Sequence, residues 1–136
     1  QKRQLTVKGP LGHPLEASYY IYTQKDSKKI AIMDMASASG LEHIKLNERN
    51  PYQTSSHGTG QLIRNAIDSN VSSIIIGVGG SATVDLGAGA LHALGLQFVL
   101  SSQVADEFDG EQFVDAGEGR DGVTLKPEAL FRGGML

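Results

Sequence analysis

The sequence predicts an α/β fold. It is a mixed sheet with a mostly parallel part, glycine-rich strand-to-helix loops and an N-terminal antiparallel hairpin. Three observations carry this. Residues 15–22 alternate with period two, the mark of a half-buried strand. Residues 60–100 run helix, apolar strand, glycine loop, helix, strand, the alternation of an α/β sheet. The glycines, 17 of 136 residues, cluster beside those apolar segments, where the backbone turns tightly or approaches something closely.

In chain order, residues 5–9 form a short strand that stops at Gly9-Pro10, and residues 10–14 a turn. Leu15, Ala17, Tyr19 and Ile21 then share one face, with Glu16, Ser18, Tyr20 and Tyr22 on the other. After the polar turn 25–28, residues 29–35 are a second strand containing Ile30 and Ile32, spaced for an antiparallel hairpin. Residues 36–40 are small and polar, and residues 45–56, with Pro51, form a loop. Residues 60–70 place Leu62, Ile63, Ala66 and Ile67 at helical spacing, with Gln61, Arg64, Asn65 and Asp68 opposite. The isoleucine-rich run 71–78 has the composition of a strand buried on both faces. Residues 85–94 are a second helix with Gly95 at its C′ position, and residues 96–100 a further strand. Residues 1–100 thus make one patterned α/β unit. Residues 101–136 are an acidic, glycine-rich segment of weak periodicity and no evident role.

Composition removes several function classes. With no cysteine, disulfides, thiolate nucleophiles and zinc–thiolate sites are excluded. A formal net charge of -3 offers no basic face for nucleic acid. No stretch approaches the roughly 18 apolar residues of a membrane span, and no signal peptide is visible, so a cytoplasmic location is expected. The chain opens with Gln1 rather than Met, as expected of a piece of a longer protein.

Three motifs bear chemistry. Residues 74–85 read Ile-Ile-Ile-Gly-Val-Gly-Gly-Ser-Ala-Thr-Val-Asp, a strand ending in glycines and hydroxyls before a helix. Ligands of open α/β sheets bind beyond the carboxyl ends of strands, and successive amides in such a loop form an anion-binding nest. The run is neither a Walker A loop nor a dinucleotide fingerprint, and glycines serving only a tight turn are an equal reading. Residues 54–60, Thr-Ser-Ser-His-Gly-Thr-Gly, precede a helix that their hydroxyls can cap. Those hydroxyls can equally donate to a ligand oxygen. Residues 33–40 put Asp34 at a strand end followed by Ser37 and Ser39. There Asp34 either holds Mg²⁺ or a substrate hydroxyl, or pairs with a neighbouring cation. Asp85 is either an acid in the first turn of its helix or a catalytic base or metal ligand. Arg49 either clamps a carboxylate bidentately or makes a surface salt bridge. His13, His43 and His92 show no metal-ligand spacing, and His57 is either a phosphate donor or, the favoured reading, a surface histidine.

Taken in order, these segments resemble the bacterial glycerate kinases that phosphorylate the 2-position. The resemblance runs through Gly9-Pro10-Leu11-Gly12, residues 35–42, Glu48-Arg49-Asn50-Pro51, Thr54-Ser55, Gly58-Thr59-Gly60, residues 77–83, Asp85, Gly87-Ala88-Gly89 and Ala93-Leu94-Gly95. It covers about residues 5–100. It implies a two-domain α/β kinase using ATP and Mg²⁺, its active site in the cleft between domains, this chain supplying part of that cleft and the remainder of a longer chain the second domain. It assigns glycerate contacts to Ser37, Ser39, Arg49, Ser56 and Thr59, and nucleotide contacts to Gly58, Gly60, Gly79, Gly80, Ser81 and Thr83. Asp85 becomes the catalytic and metal-binding candidate. The family usually has Asn-Asp-Gly where this chain has Val84-Asp85-Leu86, Glu at Asp34 and Tyr at His57. The alternatives are a degenerate, non-catalytic anion- or nucleotide-binding module of the same fold, and an unrelated α/β protein whose glycine loop binds another anion.

Overall fold

A computed structural model of the chain describes residues 1–100 and the strand Val123–Leu125. The chain forms two compact units, Gln1–Leu94 and Gly95–Leu136.

The first unit is built on a four-stranded sheet of order β1-β2-β3-β4. Strand β1 (Lys2–Lys8) pairs antiparallel with β2 (Pro14–Thr23), which pairs antiparallel with β3 (Lys29–Asp34). Strand β4 (Ser73–Gly77) joins β3 in parallel, with Asp34 opposite Gly77. The short helix α1 (Ala36–Ser39) follows β3, and α2 (His57–Asp68) is the crossover that returns the chain to β4. Residues 45–56, expected as loop, include a short 3-10 turn at Leu46–Glu48. Helix α3 (Ala88–Ala93) packs on α2, and Gly95, with φ 104°, follows its cap as expected. The mixed α/β architecture and the antiparallel hairpin are as predicted.

Period-two patterning decides which face is covered. Ala17, Tyr19 and Ile21 of β2, Val7 of β1, and Ala31 and Met33 of β3 are buried against Ala38, Leu62 and Ala66. In β3 the alanine and methionine point inward, while Ile32 stands on the opposite face. Tyr19 is 1% exposed, and its hydroxyl donates to Asn65 Oδ1 at 2.8 Å, so the largest buried side chain ties β2 to α2. The polar residues of α2 also work inward. Gln61 Oε1 accepts the Lys8 amide, and the Arg64 guanidinium donates to the Leu94 carbonyl.

Three sequence expectations are corrected. Helix α2 begins at His57, three residues before the expected start, because the two glycines of its first turn let it pack closely against β1 and α3. A Cβ at Gly58 would overlap the Lys8 carbonyl, and one at Gly60 the Ala90 carbonyl. Helix α3 begins at Ala88, three residues later than expected, because Leu86 and Gly87 both take positive φ and turn the chain first. Strand β4 is not buried on both faces. It is the last strand of its sheet among the described residues, and Ile75 and Ile76 are exposed.

In the second unit, β5 (Phe98–Leu100) pairs antiparallel with β6 (Val123–Leu125). Strand β5 therefore finds its partner there and not in the main sheet. The rest of the acidic, glycine-rich segment 101–136 lies outside the described residues.

Candidate active site

The site is built where the parallel pair of β3 and β4 ends. The Met35 amide donates to the Gly77 carbonyl at 2.8 Å, so the segments leaving β3 and β4 remain side by side. Beyond them, residues 39–41 run alongside residues 80–82. The Leu41 amide donates to the Gly80 carbonyl at 3.0 Å and the Ala82 amide to the Ser39 carbonyl at 2.9 Å. Thr54 then fastens the 54–60 motif to the 74–85 motif: its hydroxyl donates to the Ala82 carbonyl at 2.8 Å, and the Thr83 hydroxyl donates to the Thr54 carbonyl at 2.8 Å. The three sequence motifs therefore converge at the carboxyl end of the sheet, where open α/β sheets bind ligands.

The glycines of these motifs divide into two kinds. Gly58 and Gly60 are explained by packing against β1 and α3. Gly79 is not: nothing lies within 4 Å of where its Cβ would be. Gly80 has φ 71°, and among the described residues the amides of Gly79, Gly80 and Ser81 meet no acceptor. Three consecutive donors thus stand open. No helix dipole assists them, because eight residues separate Gly79 from α3 and the start of α3 is already occupied by Asp85.

Asp85 joins two helices. Its Oδ2 accepts the Ser56 amide and the Ser56 hydroxyl, both at 2.8 Å, and the Gly89 amide at 3.1 Å. Oδ1 accepts the Gly87 amide at 3.1 Å. Ser56 Oγ in turn accepts the Ala90 amide at 2.9 Å. Burial pushes the Asp85 carboxyl up, but donation from Ser56, Gly89 and Gly87 outweighs it and holds the group below its ordinary value. The cap of α2 is thus this distant carboxylate, bonded to the amide of the N-cap Ser56; of the expected hydroxyls, Ser55 Oγ takes the His57 amide.

The hydroxyls assigned to glycerate fall into place differently from one another. Ser39 and Thr59 are buried and share a 2.9 Å hydrogen bond, and Ser56 is buried between Asp85 and α3. Ser37 bonds both backbone groups of Ser18 at 3.1 Å. Arg49 is exposed and lines a hollow of about 180 Å³ with Leu41, Ile44, Ser81, Thr83 and Val84. Its guanidinium is steered by the carbonyls of Ile44 and Leu41 at 3.4 and 3.3 Å rather than by a carboxylate. Asp34 Oδ1 accepts the Ser37 amide at 2.6 Å, an assignment that sequence alone did not suggest. His57 is half-buried, with its ring 5.7 Å from that of His92. Its pKa is lowered by burial, then by Lys8 and His92.

For a metal, no group of three His, Asp or Glu side chains gathers among the described residues. One carboxylate is enough for Mg²⁺ when phosphates and water complete its shell. Asp85 Oδ1, which accepts one amide where Oδ2 accepts three groups, fits that modest role.

The glycerate kinase family model matches residues 1–119. Glycerate kinase of Halalkalibacterium halodurans is 44% identical over 99 residues, 73% of this chain and 25% of that protein. Glycerate 2-kinase of Escherichia coli K12 is 48% identical over 94 residues, 69% of this chain and 24% of that protein. The crystal structure of a Salmonella typhimurium LT2 protein assigned as glycerate kinase 2 superposes with a TM-score of 0.69 at 45% identity, covering 75% of this chain and 27% of that one. The chain spans about a quarter of the length of the curated relatives it matches. It belongs to the glycerate kinase family.

Proposed function

We propose that the chain supplies one wall of a cleft in which glycerate is phosphorylated at its 2-hydroxyl by ATP, the remaining walls coming from the further length of a family-sized polypeptide. The observation that carries this reading is the open turn Gly79–Ser81. Its amides meet no acceptor among the described residues, its first glycine has no packing neighbour, and it lies at the carboxyl end of β4 beside the hollow that holds Arg49. Phosphoryl transfer needs positioning and charge neutralisation more than covalent chemistry, and open amides, hydroxyls and one guanidinium are suited to that. The hollow is below the about 300–1,000 Å³ of clefts for drug-sized ligands. It suits a small hydroxy acid, with the Arg49 guanidinium on the carboxylate and the Ser81 and Thr83 hydroxyls beside it.

The assigned residues then take two roles. Arg49, Gly79, Gly80, Ser81 and Thr83 contact ligand. Ser37, Ser39, Ser56, Gly58, Thr59 and Gly60 hold those contacts in place from beneath. Asp85 positions α2 and α3, and its Oδ1 is the oxygen that, among the described residues, we assign to Mg²⁺. The metal, when bound, neutralises charge on the transferring phosphate. Asp34, exposed at the strand end, is the second carboxylate within the same end of the sheet and a candidate to accept the glycerate proton.

A coupled assay of ADP release from D-glycerate, ATP and Mg²⁺, run on a family-length polypeptide containing this sequence, tests the reading. Turnover that falls at least about tenfold in Arg49→Ala supports it. Turnover indifferent to Arg49→Ala and to Gly79→Ala removes it. A second reading, a degenerate module that binds anion without turnover, is favoured by one observation: Leu86 and Val84, exposed beside Asp85, stand where the family usually has Gly and Asn. Saturable ADP binding with no turnover in the family-length protein is its signature.

A further inference from the structure

Two histidines that no sequence spacing connects, His57 and His92, meet in the fold. His57 is the first residue of α2, and His92 lies in the last turn of α3. Their ring centroids are 5.7 Å apart, and a 51° tilt between the rings is not that of a stacked pair. The ring of His43 bonds the Ala36 carbonyl, whereas the rings of His57 and His92 meet no hydrogen-bond partner among the described residues. His57 is half-buried and His92 exposed, so the pair is open to solvent.

The two backbones are fixed against each other. A Cβ on Gly89 would stand 2.7 Å from the His57 amide nitrogen, so α3 lays its glycine directly on the start of α2. His92 follows Gly89 by three residues and shares its face of the helix, which brings its imidazole to that of His57. Asp85 holds both Ser56 and Gly89, and Ser56 Oγ holds Ala90, so the helices cannot slide apart. Tyr usually stands at position 57 in the family, so the pair is a feature of this chain.

We propose that His57 and His92 form a two-imidazole site for a first-row transition-metal ion of the zinc type, with water completing its shell and the ion fastening α2 to α3. A metal held about 2.0–2.1 Å from one nitrogen of each ring sets the centroids about 5–6 Å apart, and the observed 5.7 Å satisfies this. Two ligands on cross-linked helices lose little freedom when the ion binds. Imidazole suits zinc, copper and nickel, whereas Mg²⁺ takes oxygen ligands, so this site does not compete with the role assigned to Asp85. The charge of Lys8 reaches His57 and opposes the ion, which keeps binding weaker than in a closed four-ligand site. The proposal does not depend on the reaction.

The test is a calorimetric titration of the untagged 136-residue chain with ZnCl2 at about pH 7.5, where histidine is mostly neutral. The expected result is one zinc ion per chain. His57→Tyr and His92→Gln each weaken binding at least about tenfold, and His13→Gln, exposed in its turn, leaves it unchanged. Free zinc at about ten times the dissociation constant raises the thermal midpoint by about 4 °C or more, in chains that keep both histidines. MgCl2 gives no response that depends on either histidine. Midpoints in EDTA show that each variant is folded, and His92→Gln, at an exposed position, carries the test should His57→Tyr lower that midpoint. Absence of saturable zinc binding by the folded parent overturns the proposal, as does binding that His92→Gln leaves undiminished. Zinc-induced dimers in sedimentation also overturn it, since the ion would then bridge two molecules. Turnover is not read in any arm, so failure of the proposed reaction and failure of this site are separate results.

Discussion

Replacing Leu86 by glycine should stabilise the protein. Leu86 has φ 54° and is 99% exposed, so its side chain gains nothing from packing while its backbone sits in the left-handed region. For a residue with a Cβ, that region costs about 1–2 kcal/mol. Glycine escapes that cost but gives back about 0.4–1 kcal/mol through the greater freedom of its unfolded chain. The net gain is about 0.5–1 kcal/mol, or about 2–8 °C in thermal midpoint for a domain of this size. Leu86→Ala is the control. It removes the apolar side chain but keeps the Cβ, so it should leave the midpoint where it is, with Leu86→Asn between the two because asparagine tolerates this conformation. Thermal melts followed by circular dichroism, repeated as urea titrations, measure all three. A glycine variant no more stable than the alanine variant would refute the argument, because the gain would then not come from backbone strain.

The two kinds of glycine should separate in the same assay: Gly60→Ala forces α2 away from the Ala90 carbonyl and should cost about 1–3 kcal/mol, whereas Gly79→Ala should stay within about 0.5 kcal/mol of the parent while weakening anion binding. Asp85→Asn puts an amide where the Gly87 amide now donates and should cost about 1–2 kcal/mol at neutral pH. The folded-state pKa of Asp85 is depressed, so its contribution is present above the ordinary carboxylate pKa and is lost as pH falls through the folded value; the gap between parent and Asp85→Asn in urea titrations should close in acid. His57 is also depressed, by burial and then by Lys8 and His92. Its contribution is present above the ordinary histidine pKa and lost on acidification below it, so His57→Gln should flatten the stability profile on the acid side of about pH 6.5.

The fold was legible wherever a pattern is local. The alternation of residues 15–22 fixes which side of β2 is buried, and Tyr19 is 1% exposed as that pattern requires. The spacing of Leu62 and Ala66 likewise marks the buried face of α2. The start of α2 was missed because the deciding contacts are distant in sequence, on β1 and α3, where Gly58 and Gly60 meet them. The start of α3 was missed for a local reason, the positive φ of Leu86 and Gly87, which a leucine does not announce. For β4, composition spoke of a strand with neighbours on both sides, which only the sheet order could contradict.

The same distinction governs the site. Sequence identified the segments that meet, yet could not separate residues that face a ligand from residues that hold the segments together, because both use the same small and hydroxyl side chains. Ser39 and Thr59 are alike in type to Ser81 and Thr83, but the first pair is buried in a mutual hydrogen bond while the second lines the Arg49 hollow, Thr83 with its hydroxyl already held by the Thr54 carbonyl. Asp85 illustrates the point most fully. A carboxylate following a glycine loop suggests chemistry, while four hydrogen bonds from Ser56, Gly87 and Gly89 explain its presence without any ligand. Those bonds also give it functional weight, since they fasten the start of α2 to the turn that carries Val84 and Leu86 along the rim of the site. On the proposed reading such a carboxylate has two tasks, placing the glycine turn and offering Oδ1 to Mg²⁺, so Asp85→Asn should lose more turnover than its loss of folding stability accounts for, and a loss of turnover that only tracks stability would leave Asp85 the positioning task alone.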